Sequence, residues 1–204
     1  VDYATSLLAN LSRSQSRHTH QQLPDNRMST LEERARTDAS SKPFFVAVGL
    51  HKPHIPLKFP KEYLDLYPLD AIHPPEFASV PDGLPPVALD TWDDVRSRND
   101  VAAVISQHNV SYPFGKLPTT FSKMMRQHYY AAVSYVDAQI GRLLNVVNNS
   151  NTLSHNTIIV AFGDHGWQLG ERGEWAKYST CDLATRVPLI VKTIAATSSS
   201  SSSS

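Results

Sequence analysis

Thr157-Ile158-Ile159-Val160-Ala161-Phe162-Gly163-Asp164-His165-Gly166 is the stretch on which the reading of the fold turns. Six β-branched or apolar positions in a row predict a strand buried on both faces, and a polar turn follows it at once. Upstream, Phe121, Met125, Tyr129, Ala132, Val136, Ile140, Leu143 and Val147 recur every three or four residues, with Lys123, Arg126, Gln127 and Arg142 between them. That spacing predicts one long amphipathic helix, stopped by Asn148-Asn149-Ser150-Asn151. Phe44-Phe45-Val46-Ala47-Val48, closed by Gly49, predicts another buried strand, and Val187-Pro188-Leu189-Ile190-Val191 a third. Pro188 suits a strand entry or an edge. Apolar strands separated by a helix define an α/β chain with a mostly parallel sheet flanked by helices.

Further from that stretch the chain is less regular. Residues 1–11 carry Ala4, Leu7, Leu8 and Leu11 at helical spacing, whereas 12–42 are rich in Ser, Arg and Gln and read as a surface excursion, so 1–42 form a partly irregular N-terminal segment. Between 53 and 118 lie eleven of the 14 prolines. Proline removes a backbone donor and locks φ, so this insertion is expected to hold only short elements. It reads as an insertion within the more regular part of the chain, 43–192, expected to be part of a larger domain. Ser198 to Ser204 form a homopolymer, and 193–204 read as a disordered Ser-rich tail.

Lys+Arg and Asp+Glu both total 19, giving zero formal charge, which argues against a nucleic-acid binder. No apolar run approaches the roughly 18 residues of a membrane span. Val1 opens the chain without a leader-like basic or apolar region, as if mid-protein, and the single cysteine, Cys181, allows no internal disulfide. The sequons at Asn10, Asn109 and Asn148 are compatible with a secretory route, with Asn109 and Asn148 as the candidate glycosylation sites.

Two predicted strands end in polar clusters: His51-Lys52-Pro53-His54 after the first and Asp164-His165 after the second. In open α/β sheets the ligand crevice lies beyond the carboxyl ends of the strands, so parallel neighbours would bring both clusters to one pocket. Asp164 and His165 lie between glycines, and a carboxylate with an imidazole suits a divalent cation. The alternative is a helix-capping Asp164 and a loop histidine. His51 and His54 have a spacing that zinc could use, but with Lys52 they are better read as groups facing an anion, or else as solvent-exposed side chains. Lys177 follows Glu171 and Glu174 and could equally be a solvated ion-pair partner. Trp167 and Trp175 are read as core residues or as a substrate platform, and Cys181 as structural.

Asp164-His165-Gly166-Trp167-Gln168-Leu169-Gly170-Glu171, with Gly173-Glu174-Trp175-Ala176-Lys177-Tyr178, resembles the formylglycine-dependent sulfatases. Lys42-Pro43-Phe44-Phe45, His51-Lys52-Pro53-His54-Ile55-Pro56, Val80-Pro81-Asp82-Gly83-Leu84-Pro85-Pro86-Val87, Ser134-Tyr135-Val136-Asp137 and Val187-Pro188-Leu189-Ile190 carry the same resemblance in the same order. It implies an alkaline-phosphatase-like α/β fold, incomplete in this chain, a bound Ca2+ ion and sulfate-ester hydrolysis. The implied substrate is a sulfated glycosaminoglycan, at the 2-sulfate of iduronate in heparan or dermatan sulfate, and the implied location is lysosomal or secreted. By position, Asp164 and His165 would be metal ligands and His54 and Lys177 catalytic groups on the sulfate. His51, Lys52 and Trp167 would contact substrate.

The sequence also departs from that family. Its nucleophile arises from Cys-x-Pro-x-Arg, whereas Cys181-Asp182-Leu183-Ala184-Thr185-Arg186 has neither the proline nor the arginine spacing, and Ser-x-Pro-x-Arg is absent. The expected partner is therefore a missing N-terminal part of the same protein, bearing the nucleophile and paired aspartates, and this chain alone is expected to be inactive. The rival readings are a phosphodiesterase or phosphonate hydrolase of the same superfamily, and a non-catalytic binding protein derived from a sulfatase.

Overall fold

The computed structural model describes residues 1–19, 43–89, 91–112 and 115–193. In chain order the helices are α1 (Asp2–Thr19), α2 (Lys61–Leu64), α3 (Asp93–Arg96), α4 (Asn99–Gln107), α5 (Thr119–Asn148), α6 (Leu153–Asn156) and α7 (Asp182–Thr185). The strands are β1 (Ile159–Phe162), β2 (Gln168–Leu169), β3 (Trp175–Ala176) and β4 (Leu189–Lys192). β1 lies beside β4, while β2 and β3 form a separate antiparallel pair with Gln168 opposite Ala176 and Leu169 opposite Trp175.

Several expectations meet their structure directly. α5 runs 30 residues and covers the whole predicted amphipathic stretch. The proline-rich 53–118 region holds only short elements, the longest being the nine-residue α4. Others need correction. α1 continues to Thr19, past the expected end at residue 11; Arg13, Gln15 and Arg17 are good helix formers, and no proline or glycine interrupts them. The rest of the 12–42 excursion, from 20 onward, and the serine tail lie outside the described residues.

A mostly parallel sheet is not confirmed: among the described residues the strands form two two-stranded pairs, of which β2–β3 is antiparallel. Residues 44–48 make no strand, because nothing among the described residues pairs with their backbone. Burial on both faces of the strands is not observed either. Val160 and Phe162 of β1 are exposed, as is every residue of β4. Apolar composition marks a segment as able to be covered; it does not supply the cover.

The chain divides into two compact units. The first comprises 1–50, 137–160 and 191–204. Leu8, Val147 and Leu153 are its buried centre, with Phe44, Leu143, Val146 and Ile159 against them. Ser150 links its segments: its hydroxyl accepts from the backbone N–H groups of Leu153 (3.0 Å) and Thr152 (3.3 Å) and pairs with Ser12 Oγ at 2.6 Å.

The second unit comprises 51–136 and 161–190. Its core consists of Ile55, Trp92, Val95, Val101, Leu117, Leu169, Trp175 and Ala176, with Trp167, Tyr129 and Met125 packed around it. Near the candidate site, Gly166 and Gly170 are required by contact. A Cβ on Gly166 would stand 2.1 Å from the Leu183 carbonyl oxygen, and one on Gly170 would stand 2.7 Å from the Trp175 ring. Gly170 also turns the β2–β3 hairpin at φ 96, where side chains are disfavoured.

Two outcomes are expected from this packing. Leu117→Ala, at a site only 2% exposed, should cost about 2–5 kcal/mol in denaturant unfolding. Gly166→Ala should lower the unfolding midpoint through backbone overlap, by about 1–3 kcal/mol or more. A wild-type midpoint in Gly166→Ala would contradict the close approach of the 166 turn to the carbonyls of α7.

Candidate functional site

All seven residues singled out for catalysis, substrate or metal belong to the second unit, and their local structure explains how they are presented. His54 immediately precedes Ile55, a core residue, and Lys177 immediately follows Ala176, another. Ala176 lies at φ 80 with its side chain fully buried. For a residue other than glycine, this left-handed conformation costs about 1–3 kcal/mol. Pairing with Gln168 across the hairpin and burial against the core hold it there. The bend turns the chain outward at Lys177.

Lys177 Nζ then stands 3.2 Å from His54 Nε2, across 123 residues of sequence. The imidazole's other nitrogen, Nδ1, is 2.7 Å from the Ile55 carbonyl oxygen. A carbonyl only accepts, so Nδ1 carries the hydrogen and Nε2 offers its lone pair to the Lys177 ammonium. The Trp167 ring lies 6.0 Å from the His54 ring and 5.9 Å from Lys177 Nζ, and the Tyr178 ring lies 5.4 Å from the same ammonium. His51, exposed, places its ring 4.7 Å from that of His54.

Asp164 and His165 form the neighbouring group. His165 Nδ1 donates to the Gly166 carbonyl at 2.7 Å, which leaves the Nε2 lone pair facing Asp164 Oδ2 at 3.5 Å. Two acceptor atoms converging in this way are satisfied by a proton or by a cation between them. Burial, the largest single influence on Asp164, pushes its pKa up. It is outweighed by the charge His165 carries when a proton sits between the two groups, by the Asp164 and His165 backbone N–H groups and by the Lys177 charge, so the net shift is downward and the carboxylate stays ionised. The pair therefore fits as part of a cation site. Among the described residues no group of three or more His, Cys, Asp and Glu side chains could hold a metal ion.

Lys52 is placed differently from its neighbours. Its ammonium donates to the His54 carbonyl at 2.8 Å and to the Pro56 carbonyl, so it faces its own loop rather than the His54–Lys177 pair. Burial, with the nearby Lys58 and Arg98 charges, lowers its pKa. Asn109, at φ 47, is exposed just beyond α4, and Asn148 is exposed at the end of α5, where its Oδ1 accepts from Lys192 Nζ at 2.9 Å.

Two supports escape the sequence pattern. Arg126, one of the polar positions on α5, donates to the Leu169 carbonyl at 3.1 Å and pairs with Glu171 Oε1 at 2.7 Å. Glu171 Oε2 in turn accepts from the Leu169 backbone N–H at 2.6 Å, so the hairpin is anchored to the helix. Tyr129 stacks on Trp167 with centroids 6.2 Å apart and 15° between planes. Helical periodicity shows only that Tyr129 faces inward. The sequence signal for Arg126 is only a cation flanking the apolar stripe, next to Met125 and three residues before Tyr129.

The second unit thus carries an ammonium–imidazole pair, Lys177 and His54, beside a carboxylate–imidazole pair, Asp164 and His165. In this α/β chain, residues 5–203 match the model of the Sulfatase family, and the chain belongs to that family. It is 53% identical over 160 residues to iduronate 2-sulfatase of Homo sapiens, covering 78% of this chain and 28% of the relative. Against iduronate 2-sulfatase of Mus musculus it is 52% identical over 161 residues, with 79% and 28% covered. A sulfatase of Formosa agariphila is 38% identical over 149 residues, with 72% and 27% covered. The chain thus spans little more than a quarter of the length of these relatives.

The stack under Trp167 makes a testable titration. Burial pushes the Tyr129 phenol up to about 12. Because the folded value lies above the unfolded one, the neutral phenol contributes stability below pH about 10 that disappears as pH rises toward 12. Ultraviolet titration should show a late phenolate component that Tyr129→Phe removes; an unchanged curve would place Tyr129 in water.

Proposed function

We propose that residues 1–204 supply the sulfate-handling part of a sulfuric ester hydrolase that removes the 2-sulfate of iduronate from heparan or dermatan sulfate. The Lys177–His54 contact at 3.2 Å carries this reading, and the identity to iduronate 2-sulfatases supports the choice of substrate. A sulfate ester spreads negative charge over its outer oxygens and needs a proton at the leaving sugar oxygen. Lys177 offsets the former as charge develops. His54 serves the latter through Nε2 once that nitrogen has taken up a proton from water, since Nδ1 is committed to the Ile55 carbonyl. Trp167 and His51 line the approach to the pair.

Asp164 and His165 would hold the cation, read here as Ca2+, which would supply positive charge against the sulfuryl oxygens. Calcium takes six to eight ligands that are mainly oxygens, and here only Asp164 offers oxygen while His165 offers one nitrogen, so most of the set lies elsewhere. The nucleophile and the remaining ligands are assigned to sequence of the same protein outside 1–204, since neither Cys-x-Pro-x-Arg nor Ser-x-Pro-x-Arg occurs within it. A lysosomal or secreted location, with glycans at Asn109 and Asn148, accompanies this reading. Among the described residues no helix is long and apolar enough to cross a membrane.

In the full-length protein, Lys177→Ala should lower turnover of a 2-sulfated iduronate glycoside by about 10²–10³-fold. Near-normal rates would remove Lys177 from the reaction. Asp164→Ala should lower the calcium retained after dialysis, read by elemental analysis, and unchanged metal content would overturn the ligand assignment. Residues 1–204 on their own should hydrolyse neither the glycoside nor a simple aryl sulfate; turnover by them would place a nucleophile inside the chain.

A further inference from the structure

We infer that Lys52 is a positioning residue that, by clamping the 54–56 backbone, fixes the nitrogen of His54 that faces Lys177. The inference rests on the reading of His54 and Lys177 as the sulfate-handling pair and adds a residue that acts on it without touching substrate.

Three consecutive carbonyls are involved. Those of His54 and Pro56 accept from Lys52 Nζ, and the one between them, on Ile55, accepts from His54 Nδ1. This loop lies in the proline-rich region and outside any helix or strand, so apart from two turn bonds, His54 N–H to the His51 carbonyl at 3.2 Å and Lys58 N–H to the Pro56 carbonyl at 2.8 Å, its peptide planes depend on side-chain donors. An ammonium has three donors and no acceptor, and two of them are spent here on the carbonyls that flank Ile55. Tying both flanks limits rotation of the peptide between them and keeps the Ile55 oxygen against the imidazole.

The consequence is a choice of tautomer. With hydrogen on Nδ1, both contacts of the ring are favourable: Nδ1–H meets a carbonyl, and the Nε2 lone pair meets an ammonium. With hydrogen on Nε2 instead, two donors would face each other at Lys177 and two acceptors at Ile55. A loop free to rotate would lose the first arrangement's advantage. Lys52 is also held inward against the charges of Lys58 and Arg98 and against its own desolvation, which all disfavour an ammonium there. The two carbonyls are what make the position tenable. A lysine serving substrate would instead leave its donors toward the His54–Lys177 pair.

The test uses Lys52→Met and Lys52→Arg in the full-length protein. Long-range proton–nitrogen NMR of the histidine side chains reads the His54 tautomer, and steady-state kinetics on the sulfated glycoside gives kcat and KM separately. The wild type should show a single Nδ1–H form. Lys52→Met should show mixed tautomers and a kcat lowered about 10–100-fold, the usual scale for loss of an orienting partner, with KM nearly unchanged. Lys52→Arg, whose guanidinium can still donate to both carbonyls, should recover the single tautomer and most of kcat. A Lys52→Met protein with the wild-type tautomer and kcat overturns the inference. So does one with raised KM and unchanged kcat, which would mean direct substrate contact. If Lys52→Met does not fold, Lys52→Gln, which keeps a donor but not the charge, is read in the same way. Because the tautomer is observed without turnover, a normal rate in Lys177→Ala would sink the functional reading while the Lys52 measurement still decides the clamp.

Discussion

Ile55 and Ala176 are buried in the same apolar cluster, and the residues bonded to them, His54 and Lys177, have to emerge close together. That constraint organises the second unit. Trp92, Leu117 and Trp175 fill the cluster between the proline-rich loop and the β2–β3 hairpin, so two segments more than a hundred residues apart share one floor. The polar chemistry above it is a product of the burial below. Apolar contact is non-directional and cannot by itself set a hydrogen bond; it brings the two chains into range, and the local turns then set the angles.

Those turns use left-handed backbone, which is strained only where the residue is not glycine. Ala176 at φ 80 bends the chain just before Lys177, while Gly170 at φ 96 and Gly173 at φ 77 shape the hairpin end. The Arg126–Glu171 pair, little exposed on either side, ties the hairpin to α5. Charged hydrogen bonds of this kind are stronger than neutral ones and are geometrically demanding. Backbone strain at one residue is sustained because the neighbours over-determine its position.

The electrostatics of the site are local rather than global. The chain is formally neutral, yet Lys177 sits where its charge reaches both the His54 imidazole and the Asp164 carboxylate. Each imidazole has its Nδ1 hydrogen committed to a backbone carbonyl, Ile55 for His54 and Gly166 for His165, and each therefore turns an Nε2 lone pair into the site. One lone pair meets an ammonium and the other a carboxylate. The first contact is satisfied as it stands, and the second asks for a positive charge.

Much of this was legible in the residues themselves. Helical periodicity located α5, apolar runs located β1 and β4, and the density of prolines foretold the short elements of 53–118, because each of these signals is local. The polar clusters after Val48 and after Phe162 stood out as candidate site residues for the same reason. Partners were not. The run 44–48 is apolar enough for a strand but finds no neighbour among the described residues, and strand formation is a property of pairs. The inward turn of Lys52, the stack of Tyr129 on Trp167 and the reach of Arg126 to Glu171 depend on where distant segments pack. Sequence determines which groups are available and where backbone hydrogen bonding must fail; only tertiary packing decides which of those groups meet, because that depends on the core beneath them.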